Sequence, residues 1–328
     1  MARVLLLLLL PIYGCIQTSH AQCCSGASPI AGGLAQGVLQ HKQMEISTNY
    51  QYLESRIALT GNTPAPFPIL EKAFASYMYS RFAYGFSKKL TISVESGYSP
   101  NRTERLIGGD EITGKGIGDL IIFPKYDVFN GSTPVHQMEI TVGLGSKIPL
   151  GEYNQKYVAY VNPSTQDTFW IKKSPGLQPT SGTKDFIFYA FFYRGYTKSQ
   201  LRFYTTFTHI LRGKNPDGVN YGNITSITTS ASKSIFSSLN LGLELKAEKL
   251  DTIFDPEYLN YKYNTGGKKL SLVPQLFYTY KQKLTFSFTS DIPVYQFVNG
   301  TQIASQYFFN FGVTYRLSPL KSEDESGK

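Results

Sequence analysis

The alternation of apolar and polar residues is clearest at the end of the chain. From Tyr307 to Leu317 the odd positions Tyr307, Phe309, Phe311, Val313, Tyr315 and Leu317 are apolar or aromatic, and Asn310, Gly312, Thr314 and Arg316 lie between them. A period of two marks a strand with one face in an apolar medium, and this stretch is long enough to cross a bilayer when tilted. The pattern recurs upstream. Leu201, Phe203, Thr205, Phe207 and Leu211 oppose Arg202, Tyr204, Thr206, Thr208 and Arg212, and Leu239, Leu241, Leu243 and Leu245 oppose Asn240, Gly242, Glu244 and Lys246. A slip of one residue would carry those charges onto the apolar face, so the register is strongly specified.

Read this way, the chain contains about twelve candidate strands, an even number as single-chain bacterial barrels have. They fall near residues 42–54, 73–86, 89–99, 116–129, 136–148, 185–195, 200–212, 223–235, 238–249, 268–281, 284–296 and 303–317. Short and long connections alternate between them, with 297–302, a tight turn at Asn299-Gly300, as the exception. A transmembrane barrel sorts its connections by side, and a soluble sandwich has no reason to. The expected fold is therefore all-β: a closed antiparallel up-and-down transmembrane barrel over residues 42–317, with the first and last strands paired. The sixth strand is aromatic on both faces and the eighth is rich in Ser and Thr, so the pattern orients neither.

The start of the chain supplies an address. Arg3, the run Leu5 to Leu10 and the small residues ending at Ala21 read as a signal peptide over residues 1–21, cleaved before Gln22. The alternative is lipidation at Cys15. Residues 22–41, with Gly26, Pro29, Gly32 and Gly33, read as a flexible segment able to plug a lumen, and 318–328 as a polar periplasmic tail. The address implies the bacterial outer membrane, with both termini periplasmic and with lipid and the barrel assembly machinery as partners. Composition agrees: 24 Tyr and 22 Phe beside a single Trp suit rings placed at a membrane interface. Loss of Arg3 takes the formal net charge from +9 to +8, but the charges are dispersed and no nucleic-acid motif is present.

Turning the apolar face outward directs Glu45, Arg81, Glu95, Asp119, Lys125, Asp127, Glu139, Lys147, Arg202, Arg212, Glu244, Lys246, Glu248, Asp291 and Arg316 inward. Opposed charges there either brace the barrel by pairing or line a polar path. The connection from Gly151 to Lys184 is the longest, and its aromatics Tyr153, Tyr157, Tyr160, Phe169 and Trp170 are candidates for a gate. Chemistry is sparse. The four histidines stand apart with no metal-ligand spacing, and Gly114-Lys115-Gly116-Ile117-Gly118-Asp119 precedes a strand instead of a helix, which argues against a phosphate loop. Neither an enzyme nor a cofactor is expected. Cys23 and Cys24 are adjacent and either reduced, joined between chains or bound to a soft metal.

Gly116-Ile117-Gly118-Asp119-Leu120, followed by Phe123-Pro124-Lys125-Tyr126 and then Gly143-Leu144-Gly145-Ser146-Lys147-Ile148-Pro149-Leu150-Gly151, resembles the paired signature of the outer-membrane family labelled "MetA-pathway of phenol degradation". Leu177-Gln178-Pro179, Thr265-Gly266-Gly267, Pro274 to Tyr278 and Pro293 to Gly300 also fit, over roughly residues 40–317. Thr180 departs from that pattern, where Gly is common. The resemblance implies a transporter of small hydrophobic or aromatic compounds. The alternative is a non-conducting barrel that acts through its outer loops.

Overall fold

The computed structural model describes residues 37–68, 70–257 and 261–317. The signal peptide, Cys15, Cys23, Cys24 and the tail 318–328 lie outside the described residues. Strands follow in the order β1 (Met44–Ser55), β2 (Ala58–Gly61), β3 (Thr63–Pro64), β4 (Lys72–Gly85), β5 (Leu90–Arg105), β6 (Glu111–Ile117), β7 (Asp119–Ser132), β8 (His136–Pro149), β9 (Lys156–Val161) and β10 (Thr168–Lys172). After these come β11 (Asp185–Tyr196), β12 (Leu201–Arg212), β13 (Ile224–Ser234), β14 (Leu239–Leu250), a single helical turn α1 (Tyr261–Asn264), β15 (Gly267–Tyr280), β16 (Leu284–Ile303) and β17 (Tyr307–Leu317).

Twelve of these strands close an antiparallel barrel. The closing seam joins the first strand to the last, from Met44 opposite Leu317 to Glu54 opposite Tyr307. Every backbone group along the seam thus finds a ladder partner, which a sheet in lipid requires. No helix among the described residues is long and apolar enough to cross a membrane.

One end of the barrel carries the short turns and the other the long connections, which hold β2, β3, β6, β9, β10 and α1. Three boundaries differ from the sequence reading. Gly116 and Ile117, read as the start of the fourth strand, belong to β6, which folds back on the extension of β5 as far as Arg105. The connection 150–184 has structure of its own, the hairpin of β9 and β10. Residues 297–302 are not a simple turn, because β16 runs on to Ile303 and its far end pairs with β2.

The outer face is apolar, with Phe311, Val313, Leu241 and Leu243 exposed on it. Phe86, Tyr126, Tyr196, Phe203, Tyr278, Tyr280 and Tyr315 ring the short-turn end, where an aromatic belt of a membrane barrel lies. The structure also orients the two ambiguous strands. On β11, Ile187, Tyr189 and Phe191 turn inward and are buried, while Phe186, Phe188 and Phe192 are exposed. On β13, Ser230 and Ser232 are buried inward because a ring lies across them: the Tyr204 hydroxyl, from β12, reaches over β13 and donates to Gln275 Oε1 on β15 at 2.6 Å. A large residue on β13 would block that path.

Glycine makes similar room on β8. A Cβ on Gly145 would lie 2.4 Å from Phe123 Cδ2, and one on Gly143 3.0 Å from Phe123 Cζ, so the Phe123 ring lies flat on this stretch of wall. Gly145→Val is expected to cost about 1–3 kcal/mol by overpacking. The check is a lower urea midpoint for loss of the compact, heat-modifiable band on gels; an unchanged midpoint would show that Phe123 moves aside freely.

Candidate functional site

The inner wall divides into a charged arc and an apolar arc. In the charged arc, buried Glu45 accepts from Arg81 Nη1 at 3.0 Å and from Arg316 Nη2 at 2.5 Å, and Arg81 Nε lies 3.3 Å from Glu95. A second knot joins β14, β15 and β16. Lys246 and Lys269 each lie 3.0 Å from Glu248, and Lys269 lies 3.3 Å from Asp291. Glu244 accepts from Gln275 at 3.0 Å, Arg202 donates to Asn240 at 3.2 Å, and Asp127 accepts from Asn130 at 3.0 Å. Burial of so many ions is tolerable because they are paired.

The sequence pattern does not identify the residues of the apolar arc. Ile121, Phe123, Ile187, Tyr189, Phe191 and Tyr204 form one buried cluster on the inner faces of β7, β11 and β12. Phe123 meets Tyr189 edge-on at 5.7 Å between centroids, and Tyr189 stacks on Phe191 at 6.4 Å. Lys125 Nζ sits 5.5 Å from the Tyr189 ring centre, a cation over a π face where the two arcs meet. The one signal available in the sequence was the sixth strand itself, since a strand aromatic on both faces needs an apolar partner inside as well as lipid outside.

Chain enters both mouths. At the short-turn end Val38 N donates to Glu139 Oε1 at 3.1 Å and Leu39 N to Thr91 Oγ1 at 2.7 Å, so the segment leading into β1 lies against the inner wall and Leu39 is buried. At the other end the segment from Leu177 to Thr183 tucks into the opening. Thr180 Oγ1 donates to Asp119, and Lys147 Nζ donates to Ser181 Oγ at 2.8 Å while lying 2.9 Å from both Asp119 and Asp185. Arg212 caps this knot, with Nη1 donating to the Tyr221 carbonyl at 3.3 Å. The glycines that superficially resembled a phosphate loop have a packing role. A Cβ on Gly114 would fall 1.8 Å from the Leu177 carbonyl oxygen and one on Gly116 3.1 Å from Pro179, so the rim is bare where the segment crosses it.

The aromatics singled out in the connection 151–184 lie elsewhere. Tyr160, Phe169 and Trp170 are exposed on the β9–β10 hairpin, 53–59% accessible, and Tyr157 is half-buried at its base. Tyr153 lies against the mouth segment, covering Gly182. Ser174 Oγ ties the connection to β5 by donating to Glu104 Oε1 at 2.8 Å, beyond the barrel where β5 pairs with β6. Burial holds the Glu104 carboxyl above its usual range, with the Ser174 bond offsetting part of the shift. A raised folded-state value means that stability is full below the unfolded value near 4.3 and is lost as pH rises through the folded one. Protease cutting of residues 150–184 should therefore quicken as pH rises through that window in the native chain and stay flat in Glu104→Gln. A pH-independent native chain would count against it.

Among the described residues no group of three or more His, Cys, Asp or Glu side chains could hold a metal ion. No family model matches the sequence, and no curated protein is similar to it by sequence. Solved structures do share the fold. The crystal structure of an outer membrane channel from Pseudomonas putida F1 superposes with a TM-score of 0.67 at 10% identity, over 86% of this chain and 97% of that one. The KdgM porin in complex with disordered oligogalacturonate has a TM-score of 0.43 at 9% identity over 84% and 99% of the two chains. A FadL homologue from Pseudomonas aeruginosa has 0.42 at 8% over 84% and 90%. The first establishes the barrel fold, and the other two add no weight at those scores.

Proposed function

We propose that the chain is an outer-membrane channel for small hydrophobic or aromatic compounds. The observation that carries this reading is the apolar arc of Phe123, Tyr189, Phe191 and Tyr204 inside an otherwise charged lumen. Ion pairs alone would brace the barrel, whereas these ring faces, packed on one another at rest, are a surface that a flat apolar solute can part and pass along. Support comes from the fold shared with a channel and from the resemblance to the phenol-degradation family. In this reading residues 1–21 are removed on export, the termini and short turns are periplasmic, the long connections face outward, and the segment 22–41, of which residues 37–41 are described, serves as a plug at the short-turn mouth. The outer apolar band meets lipid after delivery by the barrel assembly machinery.

A second reading, a non-conducting barrel that recognises something through its loops, is favoured by one observation: chain lies in both mouths. Uptake into liposomes separates the two. Entry of 4-hydroxybenzoate should exceed that of a sugar of similar size, and the double variant Tyr189→Ser, Phe191→Ser should lose most of the aromatic flux while sugar entry is unchanged. Exclusion of both solutes by the native chain would establish the second reading.

A further inference from the structure

Outside the barrel, the connection between β8 and β11 meets β6 in a cleft of about 480 Å³ lined by Thr113, Lys115, Glu152, Gln155, Lys156 and Lys173. That volume suits a small ligand. Its floor is fixed. Gln155 Nε2 donates to the Lys115 carbonyl at 2.7 Å and to Glu152 Oε2 at 3.2 Å, and Lys173 Nζ donates to the Thr113 carbonyl at 2.7 Å. The backbone of the two strand ends is locked as well, with Lys173 N donating to the Gln155 carbonyl at 2.9 Å.

The charges do not balance. Three lysines and one glutamate line the cleft, and the Glu152 carboxylate already accepts from Gln155. No ion pair joins Lys115 or Lys156 to any acid among the described residues, unlike the charges of the lumen, which are knotted. The Lys173 ammonium is disfavoured first by burial, with Lys115 adding repulsion that Glu152 opposes. Like charges held around a fixed floor attract a counter-ion of opposite sign.

We infer that this cleft is a binding site for a multivalent oxyanion, a phosphate- or carboxylate-bearing group, held by Lys115, Lys156 and Lys173. The site is separate from the lumen and stands whether or not the barrel conducts. Two sources share this chemistry: a free solute in the medium and the headgroup of an anionic lipid.

Equilibrium dialysis of the full chain in zwitterionic detergent with labelled pyrophosphate tests the site. One pyrophosphate per chain is expected, with affinity falling as salt is raised. The double variant Lys115→Gln, Lys156→Gln removes two charges that make no structural contact, so its folding is expected to be native by gel mobility and its affinity about tenfold or more weaker. A repeat in bicelles doped with phosphatidic acid distinguishes the sources, since loss of pyrophosphate binding names the lipid headgroup and persistence names a solute. Equal binding by the native chain and the double variant, or no binding by the native chain in lipid-free detergent, would overturn the proposal.

Discussion

Glu45→Ala should cost the barrel about 3–5 kcal/mol, the loss expected when one partner of a buried charge pair is removed and the other is left behind. Glu45 is 1% exposed and stands at the seam where the first strand meets the last, directly opposite Arg316. Its two oxygens serve two arginines on different neighbours, Arg81 on β4 and Arg316 on β17. The two losses differ in kind. Arg81 is itself buried, with Glu95 3.3 Å away, and cannot turn to bulk water, whereas Arg316 is 38% exposed and can regain it. Most of the cost should therefore pass through Arg81, and Arg316→Ala alone should be milder. Unfolding midpoints for the single and double variants in a mutant cycle supply the measure. A Glu45–Arg316 coupling larger than the Glu45–Arg81 coupling would reverse this ranking.

The placement of Glu45 was legible in the sequence because a strand with lipid on one side has only two choices for each residue. The same logic gave the closing pair of strands, the count of twelve and the alternation of connections. It failed on β11 and β13 for one shared reason. The apolar arc inside the lumen breaks the rule that inward means polar, so β11 shows rings on both faces, and the ring of Tyr204 that crosses β13 leaves small residues where a pattern would be read. Pairings between distant positions, such as Tyr204 with Gln275, leave no periodic trace. Glycine spacing did carry information, yet its meaning at Gly114 and Gly145 required knowing what lies against them.

The longest connection shows the same gap between composition and placement, and it leads to the prediction with the largest expected effect on transport. Aromatic content pointed to Tyr157, Tyr160, Phe169 and Trp170 as a gate, but the hairpin that bears them projects into solvent and ties back through Lys172, 2.7 Å from Asp217. The segment in the opening is Leu177 to Thr183, held by Asp119, Lys147 and Asn215, whose Nδ2 donates to the Ser181 carbonyl at 3.4 Å. Excising residues 156–172 is structurally simple, because Gln155 and Lys173 already bond across the hairpin base and an Asn-Gly link can join them. Uptake of 4-hydroxybenzoate should be unchanged by that excision. Replacing Thr180 by Val and Ser181 by Ala cuts two of the holding contacts while leaving the barrel wall intact, and it should raise uptake severalfold as the segment leaves the opening. A hairpin excision that alters uptake, together with a silent double substitution, would return the gate to the exposed aromatics.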